Sequence, residues 1–176
     1  MKRLRISVLV FLQFFLFSYA MGQSGIRAEG LKLSSPVFEN GGKIPKKYTC
    51  DGANVNPPLT IGNVPSNTKS LALVFDDLDA PRGSYVHWIL WNLAPSVKEI
   101  KEDSAPGGVV QGMNDFKKPS YGGPCPPGRA HKYVFKVYAL DILLNLNPKG
   151  TKKDLEKVME GHILSRAQLT GLYQRN

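Results

Sequence analysis

The sequence predicts a single domain built mainly of β-strands, with one helix and long loops. Six runs have the length and the dense or alternating apolar pattern of strands, whereas only one segment repeats apolar residues at helical spacing. The 176 residues, 42% of them hydrophobic, suit one ordinary globular domain with a substantial core. The strand-like runs are LKLSS (31–35), SLALVFDD (70–77), VHWILWNL (86–93), GVVQG (108–112), YVFKVYAL (133–140) and RAQLTGLY (166–173).

The one predicted helix lies between the last two strong strands. Thr151 is a good N-cap, and Asp154 follows it at the spacing of a capping box. Earlier in the chain, residues 40–58 are rich in Gly, Asn and Pro, which predicts a long ordered loop. The residues expected to share one face of the helix are Leu155, Val158, Met159 and His162.

The N-terminus predicts export. Three positive charges precede a long uncharged apolar run, and small residues follow near Ala20 and Gly22. This order is typical of a secretory signal peptide cleaved after one of those two residues, and a permanent span would need about 20 apolar residues. An uncleaved anchor is the alternative. The expected organisation is a signal peptide over 1–22, a leader over 23–30 and a periplasmic or secreted domain over 31–176.

The charge favours an anionic partner. The formal net charge is +9, and removing Lys2, Arg3 and Arg5 with the signal peptide leaves 9 − 3 = +6. Such a balance suits small anions or a peripheral contact with a membrane surface, although a solvated basic surface that aids solubility is the alternative. The lysines are scattered and accompany no nucleic-acid-binding motif, so we expect no nucleic-acid partner.

Two cysteines, Cys50 and Cys125, occur in the chain. An oxidising compartment would allow a disulfide between them, and the alternatives are two buried thiols or a reactive Cys125. Without a CxxC motif or a companion histidine pair, two cysteines do not make a zinc site.

Polar groups cluster after the second strand-like run. Asp76, Asp77 and Asp79 follow a buried apolar run and could bind a cation, pair with arginine or orient other side chains. Aspartates that cap a turn are the alternative. His87 begins the next strand, where strict alternation places it on the face of Ile89 and Trp91. A histidine on an apolar face is usually a satisfied core residue, unless it has a partner.

The segment YGGPCPPGRAHKY (121–133) supplies that partner. His131 and Tyr133 share a strand face, and they can meet His87 if their strands lie in one sheet. The adjacent glycines would let backbone N–H groups approach an anion, and the prolines would hold the hollow open. These residues predict a small phosphate or carboxylate site.

The same residues do not predict catalysis. Ser84 and Ser120 lie outside any GxSxG context, and neither HExxH nor a His-rich metal spacing occurs. A thiol–imidazole pair of Cys125 and His131 would require a free thiol. We therefore expect no enzyme activity, no cofactor and no metal.

Five segments occur in a fixed order: YTCDGANVNPPL, LALVFDDLDAP, HWILWNL, YGGPCPPGRAHKYVFKVYALD and RAQLTGLY. Together, over about residues 31–174, they resemble the phosphatidylethanolamine-binding protein family, particularly its bacterial Raf-kinase-inhibitor-like branch. The resemblance implies a single-domain antiparallel β-sandwich with one or two short helices and long loops. It also implies a small anion pocket and no established catalytic activity.

The resemblance also implies a set of site residues. Leu78 departs from the proline that the family places between two aspartates, which leaves the backbone of Asp77 less restricted. The implied ligand is a phosphate-bearing head group, such as phosphoethanolamine, or a similar small anion. The implied ligand-binding residues are Asp77, Asp79, His87, Gly123, Pro124, His131 and Tyr133.

Two functions follow as expectations. The first is an exported, non-catalytic binding protein that uses this pocket. The alternative is a protein-interaction or inhibitor module, similar to protease or kinase inhibitors, that binds a protein partner through a larger surface patch.

Overall fold

The computed structural model describes residues 30–175, which fold into two β-sheets and one α-helix. The predicted signal peptide and nearly all of the predicted leader lie outside the described residues. A short 3-10 helix spans Lys46–Tyr48. The elements are β1 (Lys32–Ser34), β2 (Gly42–Lys43), β3 (Leu59–Gly62), β4 (Ser70–Asp77), β5 (Tyr85–Leu93), β6 (Glu99–Ile100), β7 (Val110–Gln111), β8 (His131–Leu140), α1 (Lys152–Met159) and β9 (Ile163–Tyr173).

The two sheets have the strand orders β1-β3-β6 and β2-β9-β8-β4-β5-β7. Neighbouring strands are antiparallel except for β2 and β9, which pair in parallel over two residues. The predicted mainly β fold is therefore confirmed.

The main core lies between the two sheets. Phe75, Trp88 and Phe135 of the larger sheet pack in one cluster with Ile61 and Ile100 of the smaller sheet, and all five are at least 99% buried. The rings of Phe75 and Phe135 stack with centroids 3.8 Å apart. This closely packed aromatic layer lies beneath the side chains at the end of β4 and holds them in fixed positions.

A second core covers the other face of the larger sheet. Val74, Ile89 and Trp91 pack there in a cluster that includes Leu155 and Met159 of α1. Strand β4 is consequently covered on both faces, and every one of its residues is buried. This double coverage explains why the β4 segment reads as a continuous apolar run and not as an alternation.

Helix α1 begins as predicted. The Thr151 side chain accepts a hydrogen bond from the backbone N–H of Asp154, whose carboxylate accepts the Thr151 N–H in return. The helix ends at Met159, and Gly161 beyond it has a φ of 79°. The prediction that His162 lies on the helix face is therefore wrong, since the chain has already turned.

Three short strands were not predicted, namely β2, β3 and β6. Strand β2 and the 3-10 helix lie inside the segment 40–58, which the composition marks as a loop. Within residues 30–175, no helix has both the length and the apolar content needed to cross a bilayer.

Candidate functional site

A cavity of about 200 Å³ opens where β4 ends, between β5 and the start of β8. Strand β4 lies between β5 and β8 in the sheet, so its last residue is flanked by both neighbours. The residues that line the cavity are Asp77, Ala80, Pro81, Tyr85, His87, Phe116, Cys125, Pro127 and His131.

Asp77 and His131 form a buried pair at this cavity. The ring Nδ1 of His131 donates to Oδ2 of Asp77 at 2.7 Å, and the two side chains are 4% and 7% exposed. The other carboxylate oxygen accepts the backbone N–H of Asp79 at 2.9 Å. Asp77 is thus held from two sides even though Leu78, which is exposed, stands next to it.

His87 reaches the cavity because of a β-bulge. Phe75 pairs with Trp88 but the next residue of β4 pairs with Val86, which leaves His87 as the extra residue. Its ring lies 5.4 Å from the ring of Phe75 and 5.3 Å from that of Tyr133, both on the inner face. The prediction that His87 shares a face with Ile89 and Trp91 is therefore wrong, because the bulge interrupts the alternation.

One ring nitrogen of His87 is already engaged. Its Nδ1 lies 2.7 Å from the carbonyl oxygen of Gly122, which can only accept, so Nδ1 carries a proton. Burial lowers the pKa of His87 below the ordinary 6.5, against the opposing effects of the Gly122 bond and of nearby carboxylates. At neutral pH the ring is therefore uncharged, and its Nε2 is a hydrogen-bond acceptor.

Tyr133 lies beside both histidines but does not line the cavity. Its ring centroid is 5.3 Å from that of His87 and 6.3 Å from that of His131. Burial, reinforced by the neighbouring Asp77 carboxylate, raises the pKa of its hydroxyl. That hydroxyl is buried beside the Asp77 carboxylate and the Cys125 backbone, at the edge of the site.

The Gly-Pro segment forms a fixed wall that is tied to the loop around residue 50. A disulfide joins Cys50 to Cys125, and the Cys50 N–H donates to the carbonyl oxygen of Pro124 at 3.1 Å. The Tyr121 hydroxyl donates to the carbonyl oxygen of Tyr48 at 2.8 Å. The wall therefore has a specified position, as its glycines and prolines predict.

The two glycines of this wall serve close packing. The Gly122 N–H donates to the carbonyl oxygen of His87, and the Gly123 N–H donates to Oδ1 of Asn54 at 2.7 Å. The expectation that these N–H groups face an anion is wrong, because both are engaged within the protein. A Cβ on Gly123 would come within 2.6 Å of the carbonyl oxygen of Tyr48, so only glycine fits.

The remaining predicted site residues take supporting positions. Asp79 accepts the backbone N–H of Lys132 at 2.7 Å and therefore acts as a turn residue. Pro124 is buried in the disulfide-linked wall. Asp76 points to the opposite face of the sheet, where it is paired with Lys136 and Lys152.

Sequence reasoning missed an aromatic wall of the cavity. The ring of Phe116 lies 5.1 Å from that of His87 and 5.0 Å from that of Tyr85. The buried amide of Asn114 holds this segment in place by donating to the carbonyl oxygens of His87 and Ser120. An Asn-Asp pair in a polar stretch is typical of a turn, so no pattern marks the neighbouring Phe116 as a wall.

The cavity offers limited metal-binding chemistry. Across residues 30–175, no three His, Cys, Asp or Glu side chains are grouped so that they could hold a metal ion. What the site presents is two histidines with Nδ1 engaged, one carboxylate, and aromatic and proline walls.

A family model described as "Phosphatidylethanolamine-binding protein" matches residues 34–174. The chain belongs to the phosphatidylethanolamine-binding protein family. A UPF0098 protein of Pyrococcus horikoshii is 50% identical over 154 residues, which cover 82% of this chain and 77% of the relative. A UPF0098 protein of Methanothermobacter thermautotrophicus is 45% identical, with 82% of this chain and 99% of the relative covered.

Solved structures of this family share the fold. The crystal structure of CT736 from Chlamydia trachomatis, described as a homolog of phosphatidylethanolamine-binding protein, superposes on this chain with a TM-score of 0.81 at 39% sequence identity. The superposition covers 84% of this chain and 99% of CT736. YbcL of Escherichia coli, described as a new member of the mammalian PEBP family, superposes on this chain with a TM-score of 0.78 at 28% sequence identity. This superposition covers 84% of this chain and 99% of YbcL. Neither the family description nor these names carries an enzymatic activity.

Proposed function

We propose that this member of the phosphatidylethanolamine-binding protein family is an exported, non-catalytic binding protein whose cavity takes phosphate-bearing head groups or similar small anions. The observation that carries the proposal is the convergence of His87, His131 and Asp77 at one cavity of about 200 Å³. That volume suits a head group and leaves no room for acyl chains, because drug-sized ligands occupy roughly 300 Å³ or more.

The tautomer of His87 sets a condition on the ligand. A neutral ring whose Nδ1–H binds Gly122 offers only a lone pair at Nε2, and anion oxygens are acceptors too. Binding therefore needs one proton in the hydrogen bond between Nε2 of His87 and the anion oxygen, carried either by the imidazole or by the ligand. A phosphomonoester loses its second proton near about pH 6 and can bring that proton, whereas sulfate cannot.

Binding should consequently tighten on acidification. The free protein keeps His87 uncharged because burial lowers its pKa, and an anion against Nε2 favours the charged ring. For sulfate, we expect affinity to rise as the pH falls from about 8 to about 5, through protonation of the protein alone. A sulfate affinity that stays flat over this range would contradict the role of His87.

The test is calorimetric titration with phosphoethanolamine, using phosphate and sulfate as comparators. His87→Gln and Asp77→Asn should each weaken phosphoethanolamine binding at least about tenfold, which corresponds to about 1.4 kcal/mol. The matched control is His162→Gln, because His162 is half-exposed and paired with Asp141 away from the cavity. Circular dichroism of each variant separates lost binding from lost folding.

The same titration weighs the alternative function. Wild-type affinity in both cavity variants would refute the cavity as the binding site. No heat at millimolar phosphoethanolamine would instead favour the protein-partner module. Export is tested separately by mass spectrometry of the protein recovered outside the cytoplasm, whose N-terminus we expect at residue 21 or 23.

A further inference from the structure

A second and larger hollow lies on the opposite face of the same sheet. It has a volume of about 460 Å³ and is lined by Lys136 and Tyr138 of β8 and by Arg166, Ala167 and Gln168 of β9. Successive side chains of a strand alternate between the two faces, so Lys136 and Tyr138 point away from the face that carries His131 and Tyr133. This hollow is called the β8–β9 groove below.

Four polar side chains of the groove form two cross-strand pairs. Lys136 lies directly opposite Gln168, and Tyr138 lies directly opposite Arg166. Residues opposed in this way have Cβ atoms about 4.5–5.5 Å apart, so the four heads share one small area of the sheet face. Strand β2 covers β9 only at Gly171 and Leu172, which leaves this part of β9 open at the sheet edge.

The hydrogen-bond donors in the groove are largely unused. Within residues 30–175, Arg166 and Gln168 make no side-chain hydrogen bond and no ion pair. Lys136 uses its ammonium group in one contact, to Oδ2 of Asp76 at 2.9 Å. A guanidinium, an amide and two remaining ammonium N–H groups are thus available to one occupant.

The charge beneath the groove is organised by a buried carboxylate. Asp76 is fully buried, and its Oδ2 accepts both Lys136 and Lys152, at 2.9 and 2.7 Å. Its Oδ1 has no partner among the described residues. The two lysines balance Asp76 and the nearby Glu156, so Arg166 is left as an uncompensated positive charge.

We propose that the β8–β9 groove is a second binding site, for a small organic molecule that carries a carboxylate or phosphate group. The guanidinium of Arg166 would hold the oxyanion in its planar fork, with Lys136 as the second cation and Gln168 beside it. The ring of Tyr138 would support the organic body. A volume of about 460 Å³ lies in the range of small-molecule sites, roughly 300–1,000 Å³.

The Asp76 pair makes the site preorganised. Because Lys136 is fixed on a buried carboxylate, its ammonium loses little side-chain freedom when a ligand binds. Replacing Lys136 would leave Asp76 with one cation fewer and could unfold the protein, so the variants for a test are Arg166 and Gln168, which are exposed and unpaired.

The test uses citrate and glycerol 3-phosphate as probes, at about 150 mM salt, where contacts between isolated surface charges are screened. Two-dimensional NMR of the ¹⁵N-labelled protein should show shifts centred on Tyr138, Arg166 and Gln168 for at least one probe. Which probe binds distinguishes carboxylate from phosphate. We expect Arg166→Gln to weaken that probe about tenfold and Gln168→Ala about threefold.

Two controls separate this site from other effects. Lys98→Gln removes the same charge from an exposed position near the smaller sheet and should leave probe binding unchanged. His87→Gln, which tests the cavity at the end of β4, should also leave groove binding unchanged. Three outcomes would overturn the proposal: wild-type probe affinity in Arg166→Gln, an equal loss of affinity in Lys98→Gln, or no shifts at the groove with about 10 mM of either probe, which is tenfold above a Kd of about 1 mM.

Discussion

The disulfide between Cys50 and Cys125 should be a large contributor to stability. Replacing both cysteines by serine removes a cross-link across 75 residues of sequence. In the chain-entropy model, a loop of that length corresponds to about 4.5 kcal/mol of stabilisation, because the unfolded chain loses freedom when its ends are joined. A domain of this size has a free energy of unfolding of roughly 5–15 kcal/mol, so the predicted loss is a substantial fraction.

The folded state should survive this change. The wall stays attached through the Cys50 N–H bond to Pro124 and the Tyr121 bond to Tyr48, neither of which uses sulfur. The double variant should therefore keep the native spectrum while unfolding at lower denaturant. With a urea slope of about 2 kcal/mol per molar, the midpoint should fall by roughly 2 M.

The assay is urea unfolding followed by the fluorescence of Trp88 and Trp91, which are both at least 99% buried. Reductant should shift the wild-type midpoint to that of Cys50→Ser/Cys125→Ser and leave the double variant unchanged. If, without reductant, the double variant is less stable than the wild-type protein by under about 1 kcal/mol, the entropic reasoning is refuted.

Three further predictions concern stability. Gly123→Ala should lower the free energy of unfolding by about 1–3 kcal/mol, measured by urea unfolding, because its Cβ would lie 2.6 Å from a backbone oxygen. Gly107→Ala is the control, because the space around Gly107 is open, and it should lower that free energy by less than about 0.5 kcal/mol. Equal losses in the two variants would contradict the packing argument. As the pH falls from about 7 to about 5, His87 is protonated in the unfolded chain before it is protonated in the folded protein, so the free energy of unfolding should decrease. This decrease should be smaller in His87→Gln, and parallel pH profiles of the two proteins would contradict the lowered pKa. Thr151→Ala removes the hydroxyl that caps α1 and should cost about 1 kcal/mol, read as a lower melting temperature; an unchanged value would mean that the capping box does not stabilise the helix.

Much of the fold could be predicted from local pattern. Strand β4 matches the predicted run over 70–77, and the start of α1 follows from the Thr151 capping box. Both features are determined by residues that are close in sequence, so the sequence pattern alone is enough to predict them. Strands β2 and β6 are two residues long and exist only through their pairing with β9 and β3, so no local pattern could indicate them.

The candidate site was predicted in part. Asp77 ends β4, His131 begins β8 and His87 lies near the start of β5, and the sheet order brings all three to one cavity. The orientation of His87 depends on a bulge, which is a property of the pairing with β4 and leaves no mark in the alternation. The wall supplied by Phe116 comes from a loop whose position is set by hydrogen bonds to distant backbone, which sequence spacing does not reveal.

The most direct test of the proposed function is the protonation state of His87 during titration with phosphoethanolamine. Imidazole ¹⁵N resonances distinguish a bare Nε2 from a protonated one, and the bond to Gly122 fixes Nδ1 as protonated in the free protein. We predict that the Nε2 signal of His87 moves toward the protonated or hydrogen-bonded position as phosphoethanolamine saturates, while that of His162 stays unchanged. Saturable binding with the His87 signals unmoved would contradict the account, because the head group would then be held somewhere else.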